Sequence, residues 1–307
     1  MKTSNCEPPR ARRLRRTRRI ADRSLRASRL NGGGGLLLVV LALATSATVS
    51  AQWPLFTPPD VPRSADGRPN LDAAAPRLPN GKPDFSGVWE SRLPPSGRLG
   101  GPFLPSLRND GPPVATFVDI GRNVKEGLPL TPAAAELKKQ RMSRNSMDNP
   151  DAHCLPMGFM QLHTHSQPRK IVHTKDVVVI AYEANHGLRW IFTDGRTLPA
   201  NDPNPFWYGY SVGRWNGDEL VVETTGLRDG GWLDVNGTPF GSTSKITERF
   251  RRVNYGRVEI DVTVEDPKFY TKPVTVRVNW RLYPDGELIE FVCNENEQSS
   301  KHLVAPQ

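Results

Sequence analysis

Hydrophobic and polar residues alternate along the second half of the chain, from about residue 169 onward. The clearest case is the run 258–264, whose odd-numbered positions are polar and whose other positions are Val258, Ile260, Val262 and Val264. A period of two is typical of a β-strand with one buried face. Comparable runs continue as far as E-L-I-E-F-V-C at 287–293, separated by turn sequences such as T-K-D, N-G-D, N-Y-G and P-D-G. The pattern predicts eight or nine strands in an antiparallel meander that closes into a barrel or a strongly bent sheet.

The first half of the chain has a different composition. Residues 52–113 are rich in proline, glycine and small polar residues, which predicts an extended arm, interrupted by P-D-F-S-G-V-W-E at 83–90. Thr131 and Pro132 then provide an N-cap and a first-turn proline for one helix at about 132–144. The expected β-barrel domain, with this helix preceding its strands, spans 114–307.

The net charge of +9 is confined to a leader. Residues 1–30 contain ten arginines and one lysine against two acidic residues, which accounts for the whole excess, so the rest of the chain is neutral. An apolar run at 36–44 and Val49-x-Ala51 complete the pattern of a secretory signal, predicting cleavage before Gln52. Arg18 and Arg19 leave the Sec and twin-arginine routes both open, and an uncleaved anchor is the alternative. We expect export to the periplasm or beyond, with no stable membrane anchor after cleavage and no nucleic-acid partner.

Two cysteines follow the leader, Cys154 and Cys293. Two cysteines in an exported chain favour one disulfide, and two free buried thiols are the alternative. Apart from these, the chain shows no internal repeat, no dinucleotide-binding glycine motif, no P-loop and no serine-hydrolase elbow.

Several motifs resemble those of a family of exported, uncharacterised bacterial proteins. They run from N-P-D-A-H-C-L-P-M-G through Y-S-V-G-R-W-N-G-D-E-L-V-V-E-T, W-L-D-V-N-G, E-R-F-R-R and D-P-K-F-Y-T-K-P-V to F-V-C-N-E-N, within about residues 83–297. The resemblance implies export and no particular activity. F-S-G-V-W also resembles the G-x-W start of lipocalin-like barrels, which implies that fold and says nothing of chemistry.

Glu248 lies on the apolar side of its predicted strand, level with Ile246 and Phe250. A lone ionised carboxylate in a dry core costs several kcal/mol, so it requires a partner, a proton or water. One interpretation is a buried ion pair with an arginine such as Arg189 or Arg196. The other places Glu248 in a cavity, where it anchors a ligand or transfers a proton.

Asp234 is the second candidate acid or base. It follows Trp232 in the longest loop between strands, where it either caps a turn or meets a ligand at the barrel mouth. The aromatic run N-P-F-W-Y-G-Y contains Trp207 and Tyr208 and forms either a plug or a pocket wall. The remaining residues expected to line a ligand site are Glu183, Arg189, Trp190, Trp215 and Trp280.

His163 and His165 are a candidate metal pair. If L-H-T-H is a strand, both imidazoles face one way, a spacing that suits zinc or copper, with His173 or Glu183 as a third ligand. Two histidines fall short of a site, so neither a metal nor another cofactor is predicted.

Three functions compete. The preferred one is a barrel that binds a small, partly apolar or aromatic molecule, with Glu248 and an arginine orienting it. The second is a lyase, isomerase or hydrolase that uses Glu248 and Asp234 as acid and base. The third is a structural envelope protein whose barrel is solid and whose proline-rich arm contacts partners. The presence or absence of a barrel cavity separates the third function from the other two. The sequence makes no prediction of the oligomeric state.

Overall fold

A computed structural model describes residues 60–91, 111–200 and 204–295 of the chain, so the predicted leader, its cleavage site and Gln52 lie outside the described residues. Two α-helices are present in this part, α1 (Pro132–Ser143) and α2 (Phe159–Thr164). The strands are β1 (Gly87–Glu90), β2 (Arg169–His173), β3 (Val177–Tyr182), β4 (Leu188–Phe192), β5 (Tyr210–Asn216), β6 (Glu219–Thr225), β7 (Gly231–Trp232), β8 (Pro239–Phe240), β9 (Lys245–Asn254), β10 (Arg257–Glu265) and β11 (Val274–Leu282).

Nine of the described strands close into a barrel, in the order β1-β11-β10-β9-β6-β5-β4-β3-β2, and this confirms the predicted mainly β barrel. Neighbouring strands are antiparallel except β4 and β5, which run parallel, with Ile191 level with Ser211. The meander is interrupted there, since parallel neighbours cannot be joined by a two-residue hairpin turn. β7 and β8 form a separate two-stranded sheet outside the barrel order.

The predicted helix at 132–144 is confirmed as α1. Thr131 caps it by accepting a hydrogen bond from the backbone N–H of Ala134, and Pro132 opens its first turn. The N-cap and proline signals therefore placed this helix correctly.

Gly87–Glu90, within the stretch 83–90 that interrupts the predicted arm, is a barrel strand. Two local expectations are wrong. The segment 287–293 is not a strand but crosses the barrel surface, where Lys170 pairs with Glu287. L-H-T-H is not a strand: Leu162, His163 and Thr164 belong to helix α2, and His165 is its C-cap.

Each end of the barrel is covered. At the end that carries the β5–β6 and β9–β10 turns, Phe85 is buried with its ring 6.0 Å from those of Trp215 and Phe250. We call this the turn end. At the opposite end, the ring of Phe159 lies 6.5 Å from that of Phe240, which belongs to the two-stranded sheet.

The arm before β1 contains two turns of the same geometry, so the expectation of no internal repeat is wrong. We call residues 62–72 the first clasp and residues 76–86 the second clasp. In each, an arginine (Arg63 or Arg77) donates to the carbonyl of the glycine four residues later at 2.7 Å. Those glycines, Gly67 and Gly81, have φ of 80° and 79°, a left-handed conformation that favours glycine.

Cys154 and Cys293 are joined by a disulfide with a Cα–Cα distance of 5.6 Å, as predicted. The bond ties the segment before α2 to the segment after β11, and it indicates a non-cytoplasmic environment. Across the ranges that the structure describes, no helix has the length and apolar character needed to cross a membrane.

Candidate functional site

Glu248 points into the barrel, as its parity predicts, and it is fully buried there. Its partner is Arg189 of β4, one of the two arginines expected for this role. The guanidinium donates to both carboxylate oxygens: Nη1 to Oε1 at 3.0 Å, and Nη2 to Oε2. Arg196, the other candidate, is at the surface and pairs with Asp194.

Arg189 is satisfied beyond this ion pair. Its Nη2 donates to the Thr224 hydroxyl at 2.9 Å and to the Ser211 hydroxyl at 3.1 Å. Both hydroxyls come from the neighbouring strands β5 and β6. The guanidinium also lies 4.7 Å from the centre of the Phe159 ring, so its flat face is covered.

His163 of α2 is the third member of the network. Its Nε2 lies 2.8 Å from Glu248 Oε1, and its Nδ1 lies 2.9 Å from the hydroxyl of Tyr182. Because an ionised carboxylate only accepts, Nε2–H donates to Glu248 while Nδ1 accepts from the tyrosine. This assigns one neutral tautomer to the imidazole.

The electrostatics agree with an ionised Glu248 and a neutral His163. Burial alone would raise the pKa of Glu248, but the charge of Arg189 and the hydrogen bonds from His163 and Arg189 lower it to about 2. Burial lowers the pKa of His163 to about 4, against the opposing influence of Glu248. Burial raises the pKa of Tyr182, so this phenol keeps its proton at neutral pH.

The backbone end of α2 is held by a second buried arginine. Arg169 donates to the carbonyls of His163 (3.1 Å), His165 (2.6 Å) and Gln167 (2.7 Å). Trp280 Nε1 also donates to the His163 carbonyl at 2.8 Å. A cation at the C-terminus of a helix satisfies its last carbonyls and offsets its dipole.

These contacts place the His163 side chain inside the barrel, at the end that α2 covers. His163 touches side chains of β3, β4, β9 and β11 and, through its carbonyl, of β2. Only a residue within the barrel can contact strands on all these sides. The polar network therefore joins the helix to the surrounding wall.

Asp234 does not join Glu248. Its fully buried carboxylate accepts from the Ile120 and Thr238 amides and from the Thr238 hydroxyl, at 2.6–3.0 Å. Burial raises its pKa, and Lys138 and the hydrogen bonds oppose that shift. Of the two roles considered for Asp234, the structure assigns turn capping, so the expected acid–base pair of Asp234 and Glu248 is not assembled.

The other residues expected to line one ligand site are dispersed. Trp280 packs edge-on against His163, at 4.9 Å, whereas Trp215 lies at the turn end. Trp232 is buried in the two-stranded sheet under Arg141. Trp190 is on the outer face of β4, with 48% of its surface exposed. The rest have local partners: Trp207 stacks with Arg228, Tyr208 is half-buried in the same loop, and Glu183 accepts from Gln167 and the Ile289 amide.

The candidate metal pair is separated. His163 faces Glu248, whereas His165 caps the end of α2 and its ring meets Phe117 at 4.7 Å. His173 lies at the turn end beside Asp84. Within the described ranges, no group of three or more histidine, cysteine, aspartate and glutamate residues could hold a metal ion.

Two cavities on the described part of the molecule lie away from this network. One, of about 230 Å³, is beside the disulfide and is lined by His186 and Phe291 among others. The other, of about 520 Å³, lies near the turn end between Asp218, Arg251 and Glu259. Neither is lined by Glu248, His163 or Arg189.

The roles of Tyr182 and His163 were not predicted from the sequence. Tyr182 continues the inward parity of Val178 and Ile180 on β3, so alternation could have placed it inside. Nothing in the local pattern of α2 indicates that His163 meets Glu248, which is 85 residues away. Comparisons of the chain with protein-family models, with curated proteins and with solved structures found no match.

Proposed function

We propose that the mature chain is an exported structural protein of the cell envelope, with a solid barrel and an arm that contacts partners. The observation that carries this proposal is the position of α2. A barrel that holds a ligand leaves its interior open, whereas here the His163 side chain lies among the strands and α2 covers that end of the barrel, with Phe159 against Phe240.

The polar groups of the interior support the same function. Glu248, Arg189 and His163 use one another and their neighbours as partners. A ligand that took the place of α2 would have to replace these hydrogen bonds, which are costly to leave unmade in a buried site. The network therefore favours a permanent plug.

Export is the second part of the proposal. The disulfide supports it, as does the basic and apolar leader with Val49-x-Ala51. The resemblance of the motifs to exported bacterial proteins points the same way. Recovery from the periplasm or culture medium of a chain beginning at Gln52 tests this part.

Acid–base catalysis is a second candidate function. A neutral histidine between an ionised carboxylate and a tyrosine hydroxyl is a suitable proton relay. It requires a path by which a substrate reaches His163, whereas the two described cavities lie elsewhere. Binding of a small apolar molecule inside the barrel likewise requires a path from the surface to the interior.

Native mass spectrometry tests the solid barrel against both alternatives. We expect the exported protein to carry only the mass of the mature polypeptide and to bind no member of a panel of fatty acids and aromatic acids. A co-purifying molecule that is lost on Glu248→Gln would overturn the proposal in favour of a binding or catalytic barrel.

A further inference from the structure

The second clasp grips a turn of the barrel. Arg77 makes a two-pronged contact with Asp218, with Nη1–Oδ1 at 3.0 Å and Nη2–Oδ2 at 2.6 Å. Lys82 donates to the carbonyl of Gly217 at 2.9 Å. These groups recognise a tight turn by its aspartate and by one of its carbonyls.

The first clasp has the same backbone. In the first clasp, the Gly67 amide donates to the Ser64 carbonyl and the Asn70 amide to the Pro62 carbonyl. In the second, the Gly81 amide donates to the Leu78 carbonyl and the Asp84 amide to the Pro76 carbonyl. All four hydrogen bonds measure 2.7–2.9 Å. The isolated antiparallel β-bridge between Arg63 and Pro69 repeats the one between Arg77 and Pro83. The offset is 14 residues throughout.

The recognition groups are repeated too, but they are not used in the same way. Arg63 of the first clasp corresponds in position to Arg77 of the second, and Arg68 corresponds to Lys82. Within the described part of the chain, Arg63 hydrogen-bonds only Gly67 and meets no carboxylate, and the Arg68 side chain is 84% exposed with only Asp66 beside it. In the first clasp, the Arg63 and Arg68 side chains are thus exposed to solvent.

The first clasp is nevertheless fixed in place. The carbonyl of Leu71 accepts from the Gly256 amide and that of Ala73 from the Tyr255 amide, both at 2.8 Å. The side chain of Asn254 donates to Asp72 at 3.2 Å. A preorganised surface loses less entropy on binding than a free arm would.

We propose that the first clasp is a docking surface for a tight turn bearing an aspartate on another polypeptide, with Arg63 taking the carboxylate and Arg68 a turn carbonyl. The partner chemistry follows from the turn that the second clasp holds, Asn216-Gly217-Asp218. This inference rests on the proposed function and names the partner class that the arm contacts.

The probe is a hairpin peptide with the sequence of residues 210–225, closed by a disulfide between added terminal cysteines. It is titrated at low salt against the ¹⁵N-labelled mature chain by nuclear magnetic resonance. Exposed ion pairs are weak, so we expect a Kd on the order of 1 mM, with shifts centred on Gly67 and Arg68. We expect Arg63→Ala, or Asp218→Asn in the peptide, to weaken binding about fivefold or more.

Two variants are controls. Arg122→Ala removes an exposed arginine elsewhere and should leave the affinity unchanged. Arg77→Ala should also leave it unchanged, since Asp218 already occupies Arg77. No binding up to about 5 mM peptide, or binding lost with Arg77→Ala and not with Arg63→Ala, would overturn the proposal. If the peptide does not bind but native mass spectrometry finds no co-purifying molecule, the docking proposal fails and the solid barrel is still supported. The failures of the two proposals are therefore distinguishable.

Discussion

Arg189 and Glu248 form a two-pronged ion pair inside the barrel, although 59 residues separate them in the chain. Both side chains are almost wholly buried. The pair meets α2 through His163, so the charge on one strand, its counter-charge on another and the plug are parts of one network. Stability is therefore expected to depend strongly on each of the three.

Glu248→Gln should destabilise the fold by about 3–5 kcal/mol, because it leaves the buried Arg189 without its counter-charge. Chemical denaturation followed by tryptophan fluorescence measures this loss. The matched control is Glu223→Gln, which removes a half-exposed ion pair with Lys245 and should cost less than about 1 kcal/mol. Equal losses for the two variants would show that burial of the Arg189 pair is unimportant.

The free energy of unfolding should fall in two stages on acidification. His163 has a folded pKa of about 4, so its contribution is complete above 6.5 and is lost as the pH falls from 6.5 toward 4. Glu248 has a folded pKa of about 2, so its contribution is complete above 4.5 and is lost as the pH falls from 4.5 toward 2. Urea unfolding between pH 2 and 8 measures both stages.

His163→Gln should reduce the stage between pH 6.5 and 4, to which His165 also contributes because burial lowers its pKa as well, and should leave the lower stage. His153→Gln is the control, because His153 is exposed and should leave the profile unchanged. An unaltered upper stage in His163→Gln would mean that His163 is not the group responsible.

Reduction of the disulfide should lower the stability by about 5 kcal/mol in the chain-entropy model, because Cys154 and Cys293 are 139 residues apart. Cys154→Ser with Cys293→Ser should reproduce the loss in the absence of reductant. Thiol titration of the unfolded, non-reduced mature protein should find no free thiol, and two free thiols would contradict the bond.

Phe85→Ala should cost about 3–5 kcal/mol, because the ring fills the turn end against Trp215 and Phe250. Phe206→Ala removes a ring that is 48% exposed and should change the denaturation midpoint little. A small effect of Phe85→Ala would mean that the arm does not close this end of the barrel.

Alternation of residue types was enough to predict the barrel and the inward direction of Glu248. The same alternation also argued against the expected ligand site. Arg189 and Trp190 are both expected there from the sequence, but neighbouring residues of a strand face opposite sides. With Arg189 inside, Trp190 had to be outside, as the structure has it.

Other features were not accessible from local pattern. F-M-Q-L-H-T is too short for periodicity to separate a buried helix from a strand, so the plug was not predicted. The separation of Asp234 from Glu248 depends on long-range pairing. The clasps share an arginine, a glycine and two prolines at a constant offset, so this short repeat was present in the sequence, but only the hydrogen bonds show that the two segments have the same geometry.

The solid interior of the barrel can be tested most directly by crystallography under xenon pressure, because xenon enters empty apolar cavities. Leu162→Ala, which truncates a buried side chain of α2, is the positive control and should gain a xenon site beside the helix. The wild-type protein should show no xenon and no bound molecule between α2 and the barrel wall. Xenon, or density for a small molecule, next to Glu248 in the wild-type crystal would contradict the account.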